Sequence, residues 1–471
     1  MSLSRQIAHN TILQSVGKII ATILGVIAFS LMTRYLDTAG FGAYTTIASF
    51  LQFFGIIADC GLSLMAIQMM SEVGRDEGRT FQTAFTLRLG IVVASAIAAP
   101  LVVFFFPYPP LIKIGIAAMA LSFVLSSLIQ MLRVVYQVRL RMDIPLLADT
   151  VSALVLVASI AIAIAAGGGL LGIIAAITVN NIVQLGILLF PCARFVPVRL
   201  LVDRAIAREM FSRSWPIALS IILNLMYLRT DAIILSMTHP QETVGLYGAA
   251  YRIIDVLASF PTMFMGITLA SFAKSYSAGD RESFARYFQK TFDAIAIMAL
   301  PLIVGTQFLA TQVIVFLSGS SFAPAGDILR VLIVACGTLF FGTFFAHLIN
   351  VIHAQRTMLF WYFVTAILGV SGYLYFIPRF SYWGAAWMTV LAEALVTIAA
   401  AGIFFATTRV VPRLETLCKS LLACGAMAFV LMFSKNQSLA FLIPLACVSY
   451  TAALFALGGA PRRLIVSAVK R

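Results

Sequence analysis

The chemistry-bearing residues of this chain stand where ionisable groups are rare. Lys18, Arg88, Lys113, Arg229, Arg252 and Arg330 lie inside long apolar runs, and so do Asp59, Asp231, Asp255 and Glu393. An Arg or Lys at mid-bilayer costs about 2.5–3.5 kcal/mol on insertion scales. Such residues need either a route to the interface or a polar cavity. A planar guanidinium suits phosphate-like anions because its fork gives paired, charge-assisted bonds. A lone deep carboxyl suits a proton or a cation, or serves as the buried partner of a base. Asp59 and Glu393 are the lone acids, and both alternatives stay open for them. Arg252 and Asp255 are three residues apart and share a helical face, as do Asp327 and Arg330, so each can form an ion pair. Arg229 and Asp231 are two apart and point to different faces.

Depth sorts the bases. Lys113 lies at the outer end of its run and reaches the interface by snorkelling. Lys18 and Arg88 lie in the inner third of theirs, where snorkelling is also open to them. Arg34 marks the outer end of the first run, and Arg330 the outer start of the tenth. Arg229 and Arg252 are well inside, and for them a cavity is the better account.

The elements that position these groups are membrane spans. Of 471 residues, 61% are hydrophobic and 11% charged, against roughly 25% charged in soluble domains. That excludes a soluble enzyme, a secreted module, a disordered chain and a nucleic-acid-binding domain. A spanning helix needs about 20 mainly apolar residues. Fourteen runs qualify: 11–36, 43–70, 82–106, 111–135, 145–166, 170–192, 214–237, 246–272, 288–317, 326–352, 358–377, 383–407, 416–433 and 439–457. They are too long and too evenly apolar for barrel strands. The fold class expected is all-α and polytopic. The first run reads as a retained helix rather than a cleaved signal.

The formal charge of +14 reports orientation. Twenty-three Lys and Arg fall in the two tails and the even-numbered loops, and only Arg34, Arg379 and Lys435 in the odd-numbered ones. Both termini are therefore expected in the cytoplasm. Cys60, Cys192, Cys336, Cys418, Cys424 and Cys447 show no zinc spacing and read as small hydrophobes. No cofactor and no metal is implied. No outer loop exceeds roughly a dozen residues, which leaves no place for the external domain of a membrane glycosyltransferase or polymerase.

The longest polar interruption, between Arg194 and Arg213, divides the first twelve helices six and six. Within it, residues 199–213 (RLLVDRAIAREMFSR) read as an amphipathic helix on the cytoplasmic surface. The expected organisation is a lobe over 1–198, a linker helix over 199–213, a second lobe over 214–408, and a helix pair with its tail over 409–471. A weak repeat crosses the divide. Tyr35-Leu36-Asp37 through Gly42-Ala43-Tyr44 corresponds to Thr238-His239-Pro240 through Gly245-Leu246-Tyr247, without a gap. Each half starts and ends on the cytoplasmic side, so the repeats are parallel, and two bundles flanking a central cavity are expected. Pro100, Pro261, Pro301 and Gly167-Gly168-Gly169 are candidate bends, static kinks or tight loops. Tyr227, Tyr247 and Tyr251 are candidates for an interfacial belt or for stacking on a ring-shaped cargo.

Fourteen helices in two lobes and a terminal pair resemble the polysaccharide flippases of the MATE-like multidrug/oligosaccharidyl-lipid/polysaccharide exporter superfamily. The local likeness is carried by Asn10, Gly17-Lys18, Thr33-Arg34-Tyr35-Leu36, Gly40-Phe41-Gly42-Ala43-Tyr44 and Ala58-Asp59-Cys60-Gly61-Leu62. Asp37 departs from it, since many relatives have Gly there. The resemblance implies a non-enzymatic transporter. It would flip a polyprenyl-diphosphate-linked oligosaccharide to the outer leaflet of a bacterial inner membrane by alternating access, for surface polysaccharide. A monomer is expected, with a polysaccharide polymerase as a possible neighbour and no nucleic-acid partner. Lys18, Arg34, Arg88, Arg229, Arg252 and Arg330 are then the candidate substrate-binding bases. Asp59, Asp231, Asp255 and Glu393 are the candidate ion-coupling acids. A multidrug or organic-cation antiporter and a peptidoglycan-precursor flippase of the same superfamily are the rivals. The near balance of deep bases and acids separates them weakly.

Overall fold

A computed structural model describes residues 3–59, 61–434 and 437–459. Cys60, Lys435 and the tail cations Arg462, Arg463, Lys470 and Arg471 lie outside the described residues, as do the side chains of Arg5, Asn10 and Tyr227. The described residues form helices joined by short turns, with no strand. In order they are α1 (Leu3–Asp59), α2 (Leu62–Met70), α3 (Glu77–Val102), α4 (Pro110–Val138), α5 (Asp143–Ala165), α6 (Gly169–Cys192), α7 (Arg204–Thr238), α8 (Gln241–Ser277), α9 (Arg281–Ser318), α10 (Ala325–Val351), α11 (Gln355–Phe380), α12 (Tyr382–Thr408), α13 (Glu415–Phe433) and α14 (Leu439–Ala456). Among the described residues eleven helices are long and apolar enough to cross a bilayer, and the bent α8 is a twelfth. Separating the two arms of α1 and adding α7 gives the expected fourteen. Ile162, Phe190, Phe360 and Ile398 are more than half exposed. Lipid, not water, is the solvent such a surface fits.

Two features depart from the pattern of the sequence. The second apolar run is not one helix. Gly61 adopts φ 71°, a left-handed conformation that ends the helical ladder, so α1 stops at Asp59 and α2 begins at Leu62. The surface stretch 199–213 is not a helix of its own either. Residues 193–203 are non-helical. The Asp203 carboxylate then accepts from the Ala205 and Ile206 amides and caps a helix that continues into the seventh span.

The break between the first two spans is at Asp37, with φ 55° and ψ −176°. That backbone region is essentially reserved for glycine. Asp37 therefore holds a strained backbone at the turn between the first two spans. The Gly167-Gly168-Gly169 run forms a tight turn with positive φ at its first and last members. It is pinned by the Gly169 amide donating to the Tyr35 hydroxyl at 3.0 Å. Pro100, Pro261 and Pro301 all lie within helices. The bend of 42° in α8 falls between Gly266 and Thr268, beyond Pro261.

The chain divides into two compact units, Met1–Gly245 and Leu246–Arg471. In the first, a core of Met65, Met69, Phe81, Leu132, Tyr136, Leu188 and Met210 ties α2, α3, α4 and α6 to the start of α7. Tyr136 donates its hydroxyl to the Leu188 carbonyl. The repeat also shows itself within this unit. A Cβ on Gly42 would lie 1.7 Å from the Gln241 carbonyl oxygen, and a Cβ on Gly245 would lie 2.0 Å from that of Thr38. Thr38 and Gln241 correspond under the repeat, as do Gly42 and Gly245. The two turns therefore pack on each other reciprocally. The Thr46 hydroxyl closes the contact by donating to the Gln241 side-chain carbonyl at 2.7 Å.

The second unit is built on phenylalanine. Phe288 stacks on Phe404 at 4.9 Å and touches Phe344 at 5.3 Å, while Phe272 and Phe284 extend the cluster. The terminal pair packs on α9 through Leu309, Met427, Leu442 and Leu454. Tyr450 shares a hydrogen bond with Ser420 at 2.6 Å and donates to the Ile297 carbonyl at 3.0 Å. One hydroxyl thus joins α14 to α13 and α9.

Candidate functional site

Gly61 shapes the first charged cluster. By ending α1 and starting α2, it brings Asp59 and Ser63 to the same guanidinium. Arg88, on α3, is only 2% exposed. It donates to Asp59 and Ser63, to Ser127 at 2.8 Å and to Gln130 at 3.0 Å, the last two on α4. Ser63 also donates to Asp59 at 2.9 Å. Arg88 and Asp59, a candidate anion binder and a candidate coupling acid, are thus partners. Of the pair, Asp59 is the more accessible, its side chain being 26% exposed.

Elsewhere in this unit, Asp231 is buried in α7 and its carboxylate accepts from the Ala232 amide at 2.7 Å. Arg229 is half-buried on the same helix. Lys18 and Arg34 are exposed on the first arm of α1. A further cluster escaped the sequence analysis. Arg133 of α4 pairs with Asp149 of α5, which also accepts from Gln184 of α6 at 2.8 Å. Higher on the same helices, Asn181 donates to the Ser122 hydroxyl at 2.7 Å. Arg133 was counted with the loop cations because it lies near the end of its run. The signal available was Asp149 and Gln184, both set within apolar stretches.

In the second unit Arg252 lies eleven residues into α8, about 16 Å along the axis from Gln241. It is exposed and, among the described residues, joins no ion pair. The pairing with Asp255 that their spacing permits is not formed. Glu393 lies the same distance into α12 and is 5% exposed, with one carboxyl oxygen lacking any hydrogen-bond partner. Cys336 of α10 is within electrostatic reach of both Glu393 and Asp255, and Tyr362 of α11 is within reach of Glu393. One turn before Glu393, Thr389 meets the hydroxyls of Tyr373 at 3.1 Å and Tyr247 at 3.5 Å. Tyr247 of α8, Tyr373 of α11 and Thr389 of α12 therefore meet one turn before Glu393. Arg330 is engaged otherwise. It pairs with Asp327, as their spacing foretells, and donates to the Gln307 carbonyl at 3.0 Å and Thr311 at 3.2 Å. These bonds tie α10 to α9. Among the described residues no group of three or more His, Cys, Asp or Glu is placed to hold a metal.

Outside the spans, four side chains clamp the α2–α3 turn to α7. Arg75 grips Glu209 with two bonds of 2.8 and 3.0 Å, and Arg213 reaches Glu72 and Glu209 at 2.6 Å each. The hydrogen bonds from Arg75 hold the Glu209 carboxyl below its usual range. A depressed carboxyl stabilises the fold above the pKa it has when unfolded, about 4.3, and loses that contribution as pH falls through the depressed value. Glu209→Gln is therefore expected to cost about 1 kcal/mol near neutrality. In acid the melting temperatures of variant and wild type should converge. A constant difference across pH would show that the charge is not responsible.

A profile of the family described as "Polysaccharide biosynthesis protein" matches residues 31–327. A search of curated protein sequences finds no match. Solved structures share the fold. The inward-closed lipid II flippase MurJ superposes with TM-score 0.80 at 12% identity, covering 98% of this chain and 100% of its own. An inward-facing multidrug resistance MATE transporter of the MOP superfamily gives 0.66 at 15% identity, covering 85% of this chain and 97% of its own. A MOP superfamily transporter from Pyrococcus furiosus, described as having a binding pocket of reverse polarity, gives 0.62 at 14%, covering 86% and 95%. At such identities the likeness speaks for the fold.

Proposed function

The chain belongs to the polysaccharide biosynthesis protein family, and from that premise we propose that it flips a polyprenyl-diphosphate-linked oligosaccharide from the inner to the outer leaflet of a bacterial inner membrane. The likeness to a lipid II flippase supports a lipid-borne cargo. Family and fold both favour transport over catalysis.

Arg252 is the observation that carries this reading. An exposed guanidinium six residues into its apolar run, and among the described residues in no ion pair, is costly to leave facing hydrocarbon. It is accounted for if that face is wet and the group awaits an anion. A diphosphate supplies the oxygens that a guanidinium fork binds in pairs. The isoprenoid tail meanwhile stays in lipid and needs no polar path. In this reading Arg229, Lys18 and Arg34 are further bases that attract the headgroup. Arg88 and Arg330 contribute to its positive field from within their networks. Asp231, Asp255 and Glu393 are the groups through which a proton or cation couples, and Asp59 joins them if its hold on Arg88 loosens. Six-helix lobes over 1–198 and 214–408 rock to give alternating access, joined by 199–213 and followed by the pair within 409–471. The protein works as a monomer with both termini in the cytoplasm, and a polymerase is a candidate neighbour.

The test is translocation of a labelled polyprenyl-diphosphate sugar in proteoliposomes. Arg252→Gln is expected to slow it about tenfold or more, the worth of one charge-assisted hydrogen bond. Arg252→Lys should retain part of the rate. Wild-type rates in Arg252→Gln, or transport of organic cations in place of the sugar lipid, would overturn the proposal.

A further inference from the structure

Between α6 and α7 the chain forms a strap that is fixed in place yet leaves its apolar side chains uncovered. Its backbone is held by the first turns of α3. Gln82 donates to the Pro197 carbonyl at 3.0 Å. The Leu201 amide donates to the Thr86 hydroxyl at 3.0 Å, and the Asp203 amide to that of Thr83 at 3.2 Å. Leu200, Leu201 and Val202 are nonetheless 67%, 42% and 48% exposed. Arg199, Arg204 and Arg208 flank them, exposed and, among the described residues, in no ion pair. The one acid of the stretch, Asp203, is occupied in capping α7.

Height along α3 gives the surface its meaning. The apolar run of α3 starts at Gln82, which places the edge of the hydrocarbon there. Leu201 is tied to Thr86, four residues further in, about 6 Å deeper. The strap thus dips to acyl-chain depth and returns, and its arginines are left at headgroup height. Peptide groups at this depth need partners inside the protein, and Gln82, Thr83 and Thr86 provide them. Amphipathic segments that lie in an interface bury their apolar face by about 5–10 Å and hold cations above it.

We propose that residues 199–208 form a docking surface for the anionic phospholipids of the inner leaflet. Leu200, Leu201 and Val202 insert among the acyl chains, while Arg199, Arg204 and Arg208 bind headgroup phosphates. The proposal rests on the orientation given above, which puts this face in the cytoplasm.

The full chain is placed in nanodiscs of phosphatidylcholine, with and without phosphatidylglycerol, and amide hydrogen exchange is followed over 199–208. Phosphatidylglycerol is expected to slow exchange there, and added salt to reverse the slowing. In R199Q/R204Q/R208Q the apparent affinity for phosphatidylglycerol should fall roughly a hundredfold, from about fivefold per arginine, with an unchanged melting temperature in phosphatidylcholine. Equal exchange in both lipids, or a triple variant that behaves as wild type, would overturn the proposal. So would slowing by a polyprenyl diphosphate in phosphatidylcholine without any effect of phosphatidylglycerol, which would make the surface a cargo site. Orientation is checked separately with Leu200→Cys and a membrane-impermeant maleimide, scored over the wild-type background. Labelling from outside intact cells would overturn the orientation, and this proposal with it. Protection from outside together with lipid-independent exchange would overturn this proposal alone.

Discussion

Replacing Arg88 with alanine is expected to cost about 3–5 kcal/mol, the penalty for breaking a buried ion pair from one side. The guanidinium serves Asp59, Ser63, Ser127 and Gln130 together. Its removal strands a carboxylate and three polar groups around a space left empty. Arg88→Lys offers one ammonium in place of a fork and cannot satisfy all four, so it too should be destabilised, though less. The informative variant is the double, Arg88→Met with Asp59→Leu. When both charges are removed their desolvation cost goes with them, and pairs of this kind are often replaced at little loss. Melting in detergent should therefore show the double variant well above Arg88→Ala. A double variant as unstable as the single would mean that Arg88 packs for reasons other than its charge. The same protein reports on transport. Stability without translocation of the sugar lipid would assign the pair to the transport path, and retained translocation would assign it to structure.

The reciprocal glycines give the second large effect. Gly42→Ala puts a methyl 1.7 Å from a backbone carbonyl oxygen, and Gly245→Ala puts one at 2.0 Å. Neither obstacle is a flexible side-chain end, so the two turns must separate. Overpacking of this sort costs about 1–3 kcal/mol or more. Because both methyls push the same two turns apart, the double variant should lose clearly less than the two singles combined. Gly25 and Gly90 serve as controls, with nothing within 4 Å of a Cβ. Alanine at either should leave stability unchanged or raise it, since alanine favours helix by about 1 kcal/mol. Additive losses at Gly42 and Gly245, or losses at the controls, would contradict the reciprocal contact.

The spans were legible because a bilayer imposes a length and a polarity that few sequences meet by chance. The breaks were harder to see. Gly61 and Asp37 act through single backbone dihedrals, and hydropathy does not register a dihedral. Of the expected surface helix, 204–213 is helical and only 199–203 is not, although its arginine and leucines have helical spacing. That pattern says nothing of Gln82, Thr83 and Thr86, which take its peptide groups out of helical bonding. Charges were legible as a set, but their partners were not. Arg330 and Asp327 are neighbours along the chain, and spacing identified them. Arg88 of α3 finds Asp59 at the end of α1, across two helices. Arg133 and Asp149 meet across two helices. Glu393 was visible as a lone acid, whereas its neighbours Cys336 and Tyr362 come from two other helices.

Helix α7 has 35 residues and is about 52 Å long, far more than the roughly 30 Å of hydrocarbon it crosses. The excess lies at its start, beside the strap, where the Arg75–Glu209 clamp fastens it to the α2–α3 turn, and Arg229 and Asp231 lie further along the same helix. Pro216 falls between that start and the span, and a proline removes one rung of the helical ladder. Membrane thickness and inner-leaflet charge would then reach Arg229 and Asp231 through a helix jointed at Pro216 rather than through a rigid shaft.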